Sequence, residues 1–303
     1  MRKKIWQMNL VFIPFVILGI LVMVLPYFTF GIYPKTTTIY VYLGIMAFLS
    51  LLRSKDSWFF KTNKTFDKVV TLLIWTISVP VFIIFGLFSF IFVLLFPFSI
   101  YGVMYILSIT VIFIFGIRLK IIESLPRGQF IVIWNHCSTV DDIINPTIMG
   151  FRKWKVVFAP EIMRIPFVGY FLKYVGIPLE RTSINSKEEV KITLKSEISK
   201  GYSILIFPEG RRLRVEKKDE YLSPFNKGAF FLSQTSGVPI VPVVVSWTFL
   251  FKPRSGQWWF SPRTITIKFI NSVISKDGES TTEYQERVRS LMLEKLIEMQ
   301  NKD

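Results

Sequence analysis

The chain has 303 residues, with 37 Lys and Arg against 21 Asp and Glu, a formal net charge of +16 and a mean hydropathy of +0.45. At about 100 to 200 residues per domain, this predicts one globular domain joined to a membrane region. The single cysteine, Cys137, excludes an intramolecular disulfide framework and permits a reducing compartment.

The apolar residues are concentrated at the front. Residues 1–116 hold nine basic and two acidic side chains, all outside the longest apolar runs. The opening MRKK and the apolar run after it share features with a secretory signal. The run is too long for one, no small-x-small site follows, and further apolar segments come after. Spans are expected near 10–30, 37–52, 69–93 and 97–116, each close to the ~20 residues that cross a hydrocarbon core. The second is short. No charged residue occurs between Lys68 and Arg118, and a break is expected around Phe96 and Pro97. Residues 69–116 therefore read as two passes, one re-entrant hairpin, or a long helix with an interfacial one. Basic residues cluster at Arg2 to Lys4, between Arg53 and Lys68, and from Arg118 onwards. By the positive-inside tendency, residues 117–303 form a domain on the cytoplasmic side. The spans carry no ionisable residue of the kind a transport pathway needs, so they read as an anchor.

From residue 117 the apolar runs shorten. Strands are predicted at 129–134, 155–159, 203–207, 239–246 and 264–270, several apolar enough to be buried on both faces. Helical periodicity appears at 186–200, with Val190, Leu194 and Ile198 on one face. It appears again at 284–299, with Val288, Leu291, Met292, Leu296 and Met299. Alternating strands and helices predict an α/β fold, a mixed sheet flanked by helices, with ligands beyond the strand ends.

This basic half, net +9, points to anionic lipid headgroups or phosphate-bearing small molecules. No basic stretch is interleaved with stacking aromatics as in a nucleic-acid module, so no nucleic-acid partner is expected. With one His and one Cys no transition-metal cluster is expected, and neither metal nor cofactor is called for.

The only histidine, His136, lies where the 129–134 strand ends, before a helix predicted from Ser138. Asp141 falls in the first turns of that helix, able to fold back on the imidazole. A carboxylate on one ring nitrogen fixes the tautomer and leaves the other nitrogen as a general base. Alone, a histidine near a strand end is more often structural. Two further stretches bear on it. IFPEGRRLR, residues 206–214, ends a strand in Pro-Glu-Gly and then presents Arg211, Arg212 and Arg214. GIPLERTS, residues 176–183, ends another in Glu180 and Arg181. Arginine forks at strand ends around one imidazole would make an anion-binding mouth beside a base.

NHCSTVD (135–141), GIPLER (176–181), FPEG with its basic residues (207–212) and VPIVPV (238–243) resemble, in order and approximate spacing, four blocks of a known family. These are the glycerolipid acyltransferases, the 1-acyl-glycerol-3-phosphate or lysophosphatidate acyltransferase superfamily. The resemblance covers about residues 118–250. It implies transfer of a fatty acyl group from a thioester, acyl-CoA or acyl carrier protein, to a lysophospholipid hydroxyl drawn from the membrane lipids. It also implies that His136 deprotonates that hydroxyl with Asp141 orienting it, without an acyl-enzyme. Arg181, Glu209, Gly210, Arg211 and Arg212 would shape and charge the acceptor site, and the fourth block would be a core strand. The chain departs from the pattern at Arg211, where Thr is usual, at Glu180, where Asp is common, and at Ala159 and Pro160, where lysines are common. These departures bear on how an acceptor phosphate is gripped. The leading acceptor is 1-acyl-glycerol-3-phosphate. Another lysophospholipid, a thioesterase reaction and a degenerate lipid-binding scaffold are the alternatives. Cys137 follows the base directly, and as its neighbour in an extended segment it should point away and pack.

Overall fold

The computed structural model describes residues 86–114, 117–165, 167–180, 183–212, 221–246 and 264–300. Residues 86–95 are helical (α1), and the helix stops at Phe96, where Pro97 opens the 3-10 turn Pro97–Ser99. The break expected there is present, because proline cannot supply the N–H that a continuing helix needs. Then follow α2 (Ile100–Ile114), β1 (Arg118–Ile122), β2 (Ile131–Trp134), α3 (Thr139–Met149) and β3 (Trp154–Phe158). After a 3-10 turn at Pro160–Arg164 come α4 (Val168–Val175), β4 (Gly176–Pro178), α5 (Ile184–Ser199) and β5 (Ser203–Ile206). The chain closes with α6 (Gly228–Ser236), β6 (Ile240–Val245), β7 (Thr264–Phe269) and α7 (Thr281–Gln300).

All seven strands among the described residues join one sheet in the order β1-β7-β6-β2-β5-β3-β4. Neighbours run parallel except β6 and β7, so the sheet is mixed, as expected. Pro242 marks where the antiparallel ladder stops. Its carbonyl accepts from the Ile270 N–H at 2.9 Å, but it has no N–H to return, and regular pairing begins at Val243 with Phe269.

The central strand shows why the sheet is covered on both faces. In β2 every residue is buried, and alternation sends Val132 and Trp134 into one core and Ile131 and Ile133 into the other. The first core is closed by α2, α3 and α4, with Ile144, Met149 and Phe171 among its members. The second is closed by α5, α6 and α7, with Leu194, Phe230 and Val288. Val190, Leu194 and Ile198 form the buried stripe of α5, and Met292, Leu296 and Met299 that of α7, as their spacing predicts. Leu291 is only partly buried.

The span expected over 97–116 overlaps α2 and runs to residues 115 and 116, which lie outside the described residues. Its helical part, α2, has 15 residues, about 22 Å at ~1.5 Å per residue, against a hydrocarbon core of about 30 Å. Its buried side chains Ile100, Val103 and Ile112 belong to the first core. The Tyr101 hydroxyl donates to the Trp154 carbonyl at 3.3 Å, and Ser108 bonds the Ile143 carbonyl and, at 2.6 Å, the Thr147 hydroxyl. None of the described helices is long and apolar enough to cross a membrane. The spans expected near 10–30 and 37–52, and residues 69–85 of the third, lie outside the described residues.

Candidate active site

β2 and β5 are parallel neighbours paired Ile131 with Ile204 and Ile133 with Ile206, so their C-terminal loops leave the sheet on the same edge. The first loop carries His136 and the second carries Glu209.

Asn135 sets the exit of the first loop. It is fully buried, its amide Nδ2 donates to the Val245 carbonyl at 3.0 Å, and its Oδ1 accepts from the Val245 N–H at 2.8 Å. The side chain thus prolongs the pairing of β2 with β6 while the backbone turns away. Cys137 is buried, and its sulfur accepts from Asn135 Nδ2 at 3.4 Å. It packs, as expected for the residue beside His136.

Ser138 caps α3, and Asp141 in the third helical position completes the capping box by accepting from the Ser138 N–H. The same carboxylate oxygen, Oδ2, lies 3.1 Å from His136 Nδ1 and accepts from the Cys137 and Ser138 N–H groups at 2.8 Å each. A helix N-terminus favours this anion. Asp141 is fully buried, whereas the His136 side chain keeps 13% of its surface accessible. With Nδ1 turned to Asp141, Nε2 is the nitrogen left for a reacting group.

Glu209 holds the His136 backbone from behind. Its Oε1 accepts from the His136 N–H at 2.8 Å and its Oε2 from the Ser223 N–H at 2.9 Å. Burial pushes its carboxyl above the usual range, and these two backbone donors and the nearby imidazole oppose that shift. Glu209 is 5% exposed, so it shapes the site through the backbone of His136. Phe207 lies under the imidazole with ring centroids 4.0 Å apart and planes 23° from parallel. Gly210, at φ 68, closes the turn, with its N–H donating to the Phe207 carbonyl at 3.0 Å. A side chain in that left-handed region would be strained.

Arg212 Nη1 donates to the Thr139 hydroxyl at 3.0 Å, which brings a cation of the second loop to the first turn of α3. Asp142, one turn on from Thr139, is exposed at the same helix end. Although the residue as a whole is exposed, burial at its carboxyl is the largest influence on that group, which is pushed up to about 6. Asp141 adds to the rise, and His136 and Arg212 oppose it. Arg211 is exposed, and Arg181 lies outside the described residues. The structure thus brings His136, Asp141, Glu209, Gly210 and Arg212 to one sheet edge. The supporting roles of Asn135, Phe207 and Ser223, and the seat of Arg212 on Thr139, were not read from the sequence. Asn135 alone carried a signal, as a polar residue directly following a doubly buried strand.

Residues 116–246 match the family described as Acyltransferase. A 1-acyl-sn-glycerol-3-phosphate acyltransferase of Saccharomyces cerevisiae is 31% identical over 195 residues, covering 61% of this chain and 61% of the relative. The chloroplastic 1-acyl-sn-glycerol-3-phosphate acyltransferase BAT2 of Brassica napus is 31% identical over 139 residues, covering 45% of this chain and 39% of the relative. The crystal structure of PlsC, the 1-acyl-sn-glycerophosphate (LPA) acyltransferase of Thermotoga maritima, superposes with a TM-score of 0.65 at 21% identity. That match covers 78% of this chain and 97% of the other and shows a shared fold. The likeness to acyltransferases in sequence therefore lies in the domain at residues 116–246. The chain spans between about two fifths and three fifths of the length of these two curated relatives.

Proposed function

We propose that the protein is an O-acyltransferase that moves a fatty acyl group from a thioester, acyl-CoA or acyl carrier protein, to the free hydroxyl of a lysophospholipid. The observation that carries this is the His136–Asp141 pair, with Nδ1 engaged at 3.1 Å and Arg212 seated on Thr139 in the first turn of the same helix as Asp141. His136 Nε2 takes the proton of the acceptor hydroxyl as its oxygen attacks the thioester carbonyl. Collapse of the tetrahedral adduct forms the ester, breaks the C–S bond and returns the proton to the leaving thiolate. Asp141 steadies the imidazolium in between, and a positioned base of this kind contributes about 10² to 10⁴-fold. Cys137 is buried, so the route passes through no acyl-cysteine.

The acceptor proposed is 1-acyl-glycerol-3-phosphate, for which the relatives are named. Arg212, with Arg211 and Arg181 as further candidates, holds its phosphate. We place the catalytic domain on the cytoplasmic face of a membrane anchored by the apolar front of the chain, where a lipid acceptor is held close to the base. A lipid-binding scaffold would have no use for a carboxylate-oriented imidazole, which favours the enzyme.

The test offers purified full-length protein in liposomes labelled acyl-CoA or acyl carrier protein together with a panel of lysophospholipids. New diacyl product, greatest with lysophosphatidate, is expected. Free fatty acid as the sole product would point to a thioesterase, and no turnover with any pair would overturn the enzymatic reading.

A further inference from the structure

The helices α5 and α6 pack side by side over the second core, on the face of the sheet opposite to α1 and α2. Both start at the sheet edge that carries His136. α5 follows β4, which runs in the same direction as β3, β5 and β2. Just before α6, the Asn226 N–H donates to the Pro208 carbonyl at 2.7 Å, and the Ser223 N–H to Glu209. Between the two helices the Phe231 ring is 39% exposed, with the Lys191 and Lys195 ammonium groups 5.9 and 5.5 Å from its centroid. Lys227 is exposed one turn before Phe231, whose N–H donates to its carbonyl at 2.9 Å. Ile184 and Ile192 of α5 are 76% and 70% exposed beside these lysines. Glu188 reaches Lys191 at 2.5 Å, and α6 has no acid in its sequence.

We propose that this α5–α6 face docks an acyl carrier protein, a small acidic protein that presents the acyl thioester on a pantetheine arm. This rests on the acyltransferase reading above and names the donor side of the same site. Lysines around an exposed ring and two exposed isoleucines match an acidic partner that also has an apolar patch: the charges steer and orient it, and the apolar centre seats it. The position on the molecule selects a soluble partner. α1, whose Val93 belongs to the first core, exposes Leu87, Phe88, Ile91 and Leu95, an apolar surface suited to lipid. The α5–α6 face lies across the sheet from it and looks to water. The extent of the patch selects a macromolecule. Lys187, Lys191 and Lys195 form a row of about 12 Å down α5, away from the strand ends, where a small donor such as acyl-CoA has no need of them. The carrier rests on the row and its arm enters over the starts of the two helices.

The experiment uses full-length protein in phosphatidylcholine liposomes with lysophosphatidate, and compares kcat/KM for palmitoyl-loaded acyl carrier protein and for palmitoyl-CoA. In the double variant Lys191→Glu with Lys195→Glu, kcat/KM for the carrier donor is expected to fall about tenfold or more, through KM. The value for palmitoyl-CoA should hold, which also reports that the variant is folded. Lys191→Gln with Lys195→Gln should lose less, and the wild-type KM for the carrier should rise with salt more steeply than that of either variant. No loss with the carrier donor, or equal losses with both donors in both variants, overturns the proposal. Losses that appear only when phosphatidylglycerol is added to the liposomes overturn it in favour of a membrane contact. Wild-type turnover of palmitoyl-CoA alone overturns it as well, whereas turnover of neither donor overturns the acyltransferase reading instead.

Discussion

His136 and Glu209 are 73 positions apart, the same offset that pairs Ile131 with Ile204 and Ile133 with Ile206 in the parallel strands beneath them. The offset persists past the strand ends to Thr139 and Arg212. The two loops are therefore carried out of the sheet in register, and the Glu209 carboxylate replaces the ladder by accepting the His136 N–H. Glu209→Gln keeps one acceptor oxygen and turns a donor towards the other N–H. Leaving a buried N–H without its partner costs about 1 to 3 kcal/mol. Denaturant unfolding should show a loss of that size, with turnover falling as well. A variant with wild-type stability and wild-type rate would contradict the clamp.

Asp141→Asn separates capping from catalysis. The amide oxygen can still accept the Cys137 and Ser138 N–H groups, but a neutral side chain cannot steady an imidazolium. Turnover is expected to fall about 10² to 10⁴-fold while circular dichroism and melting change little. A rate within twofold of wild type would show that the carboxylate serves the helix alone.

The pH dependence of stability has a definite sign at Asp142. Its folded carboxyl, at about 6, lies above its ordinary 3.8, so folding favours the protonated form. That contribution is fully present below pH 3.8 and is lost as pH rises through about 6. Asp142→Asn should therefore melt above wild type at pH 7.5, with the gap narrowing by pH 4.5. The exposure of the side chain keeps the effect modest. A gap that widens on acidification would reverse the assignment.

Gly169 tests the packing that seats α4 against the sheet. A Cβ there would lie 1.9 Å from the Met163 carbonyl oxygen, a backbone atom that cannot yield without moving the 3-10 turn before α4. Gly169→Ala should cost about 3 kcal/mol or more, read by denaturant midpoint. A neutral effect would mean that the turn and helix separate freely.

The sheet was legible where burial is two-sided. IVIW in β2 and IVPVVV in β6 are continuous apolar runs, and each strand fell within two residues of its expected place. The buried stripes of α5 and α7 were legible for the same reason. In α2 the packed face was not legible, because a helix apolar all round has no stripe to mark it. β1, five residues with two basic ones, and α6 also lacked a clear period. At the site, His136 and Asp141 were legible because they lie five residues apart along one chain segment. The pairing of Asn135 with Val245, 110 residues away, and the seating of Arg212 on Thr139 depend on strand register, which no local pattern carries.

The central claim is that His136 activates the acceptor hydroxyl directly. The most direct measurement is ester formation from labelled acyl donor and lysophosphatidate by His136→Ala beside wild type, with both melting curves recorded. The account predicts an unchanged fold and a rate reduced at least about 100-fold. An undiminished rate in the folded variant would contradict it.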